Sequence, residues 1–260
     1  MTDNSAFRQI LPAKVAKSMR LKFIGCEIIF REACALAARS PHRIDLQFMR
    51  KGLHDLKTAD MLSLLQAAVV AVEDGYEAII LGYARCNDGL AGLTAPRTRL
   101  VIPRAHDCIT FFFGSRGAYQ AYFDSHPGTY YHTNGWNERN TTEGVEPQGV
   151  MGQLGLDRSY AELVEKYGKE NADFIAQVTG NWLANYSNLC YLEMGVCDEG
   201  PFIAASRQLA RDRGWSFDLR QGEWTLLEKL FAGAWDEDFV IVPPGRKIAA
   251  VNDERVLTVE

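Results

Sequence analysis

Residues 78–83, AIILGY, form an unbroken apolar run that breaks at once into a polar, glycine-bearing turn, 86–92 (CNDGLAG). An apolar run without alternation reads as a strand covered on both faces, which calls for a parallel sheet with helices on either side. Working outward, 21–29 (LKFIGCEII), 44–49 (IDLQFM) and 100–103 (LVIP) are further short, β-rich apolar stretches, and helical spacing occupies about 31–39, 58–74 and 106–124. The order β-α-β-α-β-β-α predicts an α/β fold, a mostly parallel sheet flanked by helices.

Beyond it, 126–157 is rich in Gly, Thr, Asn and Pro with little periodicity and reads as a connecting loop. A long helical stretch is expected over 159–184, then a strand at 189–194 (LCYLEM), a helix at 201–213, a strand near 215–219, a helix at 224–233 and a β-rich tail. The expected organisation is an N-terminal extension (1–20), a first α/β half (21–125), the connector (126–157) and a similar second half (158–260).

The composition narrows the function classes. The 260 residues are 47% apolar with a formal charge of −5, which supports a large folded core and argues against extended contact with nucleic acid. No run of eighteen apolar residues and no secretory leader pattern occurs, so the expectation is a cytoplasmic protein with no membrane partner, whose six cysteines stay reduced. Walker loops, G-x-G-x-x-G after a strand, G-x-S-x-G, H-E-x-x-H and C-x-x-C are all absent.

In open α/β sheets ligands sit outside the carboxyl ends of the strands. Cys26 closes the first expected strand, Cys86 follows the third, and Cys108 follows the fourth beside His106 and Asp107. Three thiols from three strand ends can therefore converge. Thiolates and imidazole suit zinc, and a catalytic zinc needs three protein ligands plus an open position. The expected metal set is Cys26, Cys86, Cys108 and His106. His54, after the second strand, is a further ligand or proton carrier, and Asp88 and Asp107 are proton-transfer candidates. The alternative for each cysteine is packing as a small apolar side chain, the reading that suits Cys34 inside EACALAA. Arg104 and the turn holding Ser115 and Arg116 offer donors to an anionic substrate, and Tyr130, Tyr131 and Trp136 offer either a pocket wall or a cover over the sheet edge.

The segments LGYARCNDGLAGL (81–93), IPRAHDCITFFFGSRGAY (102–119) and PGTYY (127–131) with GW (135–136), joined by IGCEIIFRE (24–32) and GLHDLK (52–57), resemble a microbial family known as a domain of unknown function. Its members are often encoded beside corrinoid-dependent methyltransferases. The likeness covers about residues 20–240, and it implies a metal site and one-carbon chemistry. His106-x-Cys108 with Cys190 or Cys197 downstream is also similar to the zinc motif of corrinoid-linked methyltransferases that activate a thiol acceptor.

The expectation is a metal-dependent, zinc-thiolate enzyme acting on a small molecule, with methyl transfer favoured by the resemblance and a corrinoid protein or methyltransferase as partner. The alternatives are an iron–sulfur cluster on three cysteines, a metal-free nucleophile at Cys108 beside His106, and a non-catalytic accessory protein that binds a small ligand or cobamide. Self-association into a homo-oligomer is left open.

Overall fold

A computed structural model describes residues 17–86, 88–139, 164–165, 168–173 and 185–260, with only the backbone of His54 and Asp55. The expected helix at 159–184 falls largely outside the described residues, as do 1–16 and 140–157.

The chain opens on β1 (Arg20–Cys26), a 3₁₀ turn (Glu27–Ile29), α1 (Phe30–Ala37), β2 (Arg43–Met49), a second 3₁₀ turn (Lys51–Asp55) and α2 (Thr58–Val70). β3 (Ala78–Gly82) and β4 (Leu100–Pro103) follow, and every residue of both is buried, as their continuous apolar sequences require. These four strands are parallel in the order β2-β1-β3-β4, and β8 (Phe239–Val242) closes the sheet antiparallel to β4. The fold is α/β, with a mostly parallel sheet flanked by helices.

From β1 the chain moves outward to β2 and then crosses back to β3 on the other side. The gap between the carboxyl ends of β1 and β3 is therefore a topological switch point, where no connection covers the strand ends. Gly25 and Gly82 are paired in register there, and the space a β-carbon would fill on either is taken by the ring of Phe23.

A second parallel sheet has the order β5-β6-β7, formed by Thr129–Thr133, Asn188–Glu193 and Ser216–Gln221. β5 lies inside the stretch expected to be loop. Its sequence, TYYHT, is β-branched and aromatic but only five residues long, too short to register as periodic among Gly, Asn and Thr. Between the two sheets come α3 (Ile109–Phe112) and α4 (Arg116–Ser125); α5 (Asn134–Glu138) follows β5, and α6 (Gly200–Arg213) links β6 to β7. Although α7 (Thr225–Ala232) and β8 come late in the chain, both belong with the first sheet: α7 contacts α1 and β4, and β8 is its edge strand. A hairpin of β9 (Ile248–Ala250) and β10 (Leu257–Val259) ends the chain.

The two sheets meet at α5. A β-carbon on Gly135 would collide with the Ile28 carbonyl oxygen, so only glycine lets this helix lie against the 3₁₀ turn after β1. Arg31 of α1 and Glu138 of α5 clamp the seam with two hydrogen bonds of 2.7 and 3.0 Å.

Candidate active site

The carboxyl ends of the first sheet open on a cavity of about 640 Å³. Cys26, Cys86, Cys108 and Asp107 line its floor, and Tyr130, Tyr131 and Trp136 of β5 and α5 line its opposite wall. Three of the four expected metal ligands thus come to one cavity, and the central aromatic residues are its wall.

The cysteines differ in environment. Cys86 follows β3, and its backbone N–H donates to the His106 carbonyl at 3.2 Å, which binds the loop after β3 to the loop after β4. The Cys108 thiol and the backbone N–H groups of Cys108 and Ala84 stand beside the Cys86 sulfur. These neighbours hold the Cys86 thiol below its ordinary pKa against the opposing effects of burial and the Asp107 carboxylate. The neighbouring Cys86 thiol, with burial, drives Cys108 well above the thiol range. When the pair gives up a proton, the charge therefore rests on Cys86. Cys26 accepts from the Ile28 N–H, yet burial pushes it up to about 12, so it stays a neutral thiol beside the pair.

Two charged groups, Lys51 and Asp107, line the same cavity. Lys51 is only 9% exposed, lines the cavity, and lies 4.6 Å from the centre of the Trp136 ring. Asp107 accepts from the Tyr119 hydroxyl at 2.8 Å and from the Ile109 N–H at 3.0 Å. Burial nevertheless raises its pKa above the ordinary carboxyl value. Tyr83, directly after β3, lines the cavity with its hydroxyl buried and unbonded among the described residues.

Other expected site residues are placed elsewhere. His106 is exposed and does not line the cavity. Asp88 is exposed, with positive φ, and is ion-paired with Arg85. Arg104 and Arg116 donate to backbone carbonyls of the terminal hairpin, Arg104 to Arg255 at 2.8 Å and to Leu257, and Arg116 to Glu254. Ser115 caps α4 by accepting from the Ala118 N–H at 3.1 Å. These three groups, expected to bind substrate, bond to the chain's own backbone in the structure. The His54 side chain lies outside the described residues. Cys190 is buried in β6 and Cys197 follows it; neither lines the cavity.

Lys51, Tyr83 and Tyr119 were not anticipated. Lys51 and Tyr83 were within reach of the strand-end argument, since each stands within two residues of a strand's carboxyl end. Tyr119, on α4, carries no such signal.

A metal requires its ligands to converge on one point at bonding distance. Among the described residues no three His, Cys, Asp or Glu side chains are grouped to hold an ion. The preformed unit is the Cys86–Cys108 pair, with Cys26 beside it.

A second polar centre lies at the carboxyl ends of β5 and β6. Glu199, at the start of α6, accepts from the Tyr191 hydroxyl (3.0 Å) and from the N–H groups of Met194 (3.1 Å) and Gly195 (2.7 Å). His132 shares a 2.8 Å hydrogen bond with Ser206, and burial lowers its pKa to about 4. Glu32 is fully buried and faces Asn134, yet neither side chain reaches a hydrogen-bond partner among the described residues, and burial raises Glu32 to about 8.

Residues 48–231 match the model of a family described as a protein of unknown function (DUF1638), and the chain belongs to that family. No curated protein and no solved structure matches the chain. No helix among the described residues is long and apolar enough to cross a membrane.

Proposed function

We propose that this DUF1638 protein is an enzyme that transfers a small group through the thiolate of Cys86, with the donor held in the cavity above it. One observation carries the reading: three cysteines from three strand ends line the switch-point cavity, and of the three Cys86 alone is held below its ordinary pKa by its surroundings. In the step proposed, the Cys86 sulfur attacks an electrophilic carbon, a sulfur–carbon bond forms, and the leaving group departs with the electron pair of the bond it loses. Asp107 stands where it can deliver or remove the accompanying proton. Lys51 offsets anionic charge at the far side, while Tyr130, Tyr131 and Trp136 hold an apolar body. The resemblance to proteins encoded beside corrinoid-dependent methyltransferases makes a methyl group the transfer of choice and a methylated corrinoid protein the donor.

The test is incubation of anaerobically purified protein with methylcobalamin, read by intact mass and peptide mapping. The expected result is one methyl group on Cys86, absent in Cys86→Ser. No transfer from this or other methyl donors, or methylation of another cysteine, overturns the reading. Elemental analysis of the same samples decides the zinc or iron–sulfur alternative. Stoichiometric metal that disappears in Cys86→Ser and Cys108→Ser replaces the free thiolate with a metal–thiolate centre.

A further inference from the structure

We propose that Arg104 and Arg116, with the open first turn of α4, form a binding site for an oxyanion, the phosphate group of a small phosphate ester. The site lies outside the thiol centre, and the inference does not depend on the Cys86 reading. Arg104 follows β4 directly and Arg116 opens α4, yet both guanidiniums reach the same turn of the terminal hairpin. Nη1 of Arg116 donates to the Glu254 carbonyl, and Nη1 of Arg104 donates to the next carbonyl, that of Arg255, at 2.8 Å and also to that of Leu257. Carbonyls of consecutive residues are neighbours, so the two cations are brought side by side.

Like charges held together repel, and uncharged carbonyls offset this only in part. The carboxylates around them are already paired: Asp88 with Arg85, and Asp253 with Arg255 at 2.7 Å. Among the described residues neither Arg104 nor Arg116 has a carboxylate within ion-pair distance. Burial, and after it the Arg116 charge, lower the pKa of Arg104, as befits a guanidinium without a counter-charge. The hairpin occupies one nitrogen of each guanidinium. The other two remain, and Nε of Arg116 is buried with no acceptor among the described residues. A guanidinium edge left open in this way is the fork that binds phosphate oxygens in pairs.

The helix adds donors at the same place. Ser115 takes the N–H groups of Ala118, on its hydroxyl at 3.1 Å, and of Tyr119, on its carbonyl at 3.2 Å. Those of Arg116 and Gly117 have no acceptor among the described residues. A β-carbon on Gly117 would meet nothing within 4 Å, so the turn is open to an approaching group, and the positive end of this ten-residue helix faces it. Two positive charges and donors from two directions suit a tetrahedral dianion better than a flat, singly charged carboxylate. Arg116 stands one turn before Tyr119, which lines the cavity, so the site lies at the cavity's margin.

The experiment follows thermal unfolding of the full-length protein, with calorimetric titration, against inorganic phosphate, glycerol phosphate and acetate at fixed ionic strength. The expected result is a saturable rise in Tm with one inorganic phosphate or one glycerol phosphate bound per chain, and no saturable effect of acetate. Arg104→Gln and Arg116→Gln each weaken binding about tenfold or more, the loss expected for one charge-assisted contact, whereas Lys51→Met, which changes the cavity's cation, binds as the parent does. Gly117→Glu keeps the test decisive if either arginine variant fails to fold. It sets a carboxylate in open space beside the arginines, and it abolishes phosphate binding. Absence of a saturable effect, binding of inorganic phosphate without the ester, acetate acting as phosphate does, or binding that survives Gly117→Glu or both arginine variants overturns the proposal.

Discussion

The carboxyl ends of the two parallel sheets invite comparison, because the same topology produces opposite sites. At the first sheet the strand ends carry thiols, a lysine and a raised aspartic acid around a cavity of about 640 Å³. At the second they carry carboxyls, an imidazole and amides packed against one another, with Glu32, His132 and Glu199 all buried. Strand ends of an open α/β sheet gather polar groups in both places. The crossover to β3 leaves the first set open, whereas the second sheet is packed against α5 and α6. Polar residues at strand ends are thus necessary for a site, and an uncovered switch point makes one usable.

The sharpest way to break the comparison is at the seam. Gly135→Ala places a methyl group on the Ile28 carbonyl, and the expected loss is about 3 kcal/mol of stability, measured by denaturant unfolding, with the cavity wall displaced. An unchanged midpoint would mean that the two regions are not fastened there.

Glu199→Ala removes the acceptor of three hydrogen bonds and leaves Tyr191 and two N–H groups unsatisfied. The expected cost is about 2–3 kcal/mol. Cys86 reactivity should be preserved, as befits a centre that holds the fold.

Glu32 provides a signed pH test. Its carboxyl titrates near 8 in the folded chain against an ordinary 4.5, so the folded state keeps a proton that the unfolded chain releases across that window, and stability falls as pH rises from about 4.5 to about 8. Glu32→Gln removes this slope. The variant should match the parent near pH 4 and exceed it by about 5 kcal/mol above pH 8. His132 acts oppositely: its pKa, lowered from 6.5 to about 4, makes stability fall as pH drops through that window, and Glu32→Gln leaves this acid limb in place.

The smallest stability effect belongs to the other region. Cys86→Ser should cost under about 1 kcal/mol by thermal unfolding while abolishing the chemistry. A large loss of stability with retained chemistry would make the first region structural, like the second.

The sequence carried the parallel strands and the thiol cluster because both follow from local rules: unbroken apolar runs mark covered strands, and Cys26, Cys86 and Cys108 each end or follow one. What it hid depends on contacts distant along the chain. β8 pairs antiparallel with β4 across the 135 residues of chain between Pro103 and Phe239, and nothing within FVIVPP states its partner. Arg104 and Arg116 look like unattached anion ligands until the terminal hairpin supplies carbonyls for one nitrogen of each. Nothing in the local sequence of α1 marks Glu32 as fully buried. His106, two residues from Cys108, shows that close spacing alone does not bring side chains to one point; its exposure puts it outside the cavity.

The most direct test is the pH dependence of iodoacetamide alkylation of the reduced protein, resolved for each cysteine by peptide mass spectrometry. The thiolate account predicts that Cys86 reacts first and titrates below an ordinary thiol, with Cys26 and Cys108 silent until far higher pH, and that Cys108→Ala, which removes the neighbouring S–H, raises the Cys86 titration. Alkylation of Cys86 with an ordinary or raised titration, or of Cys26 or Cys108 ahead of it, would contradict the account.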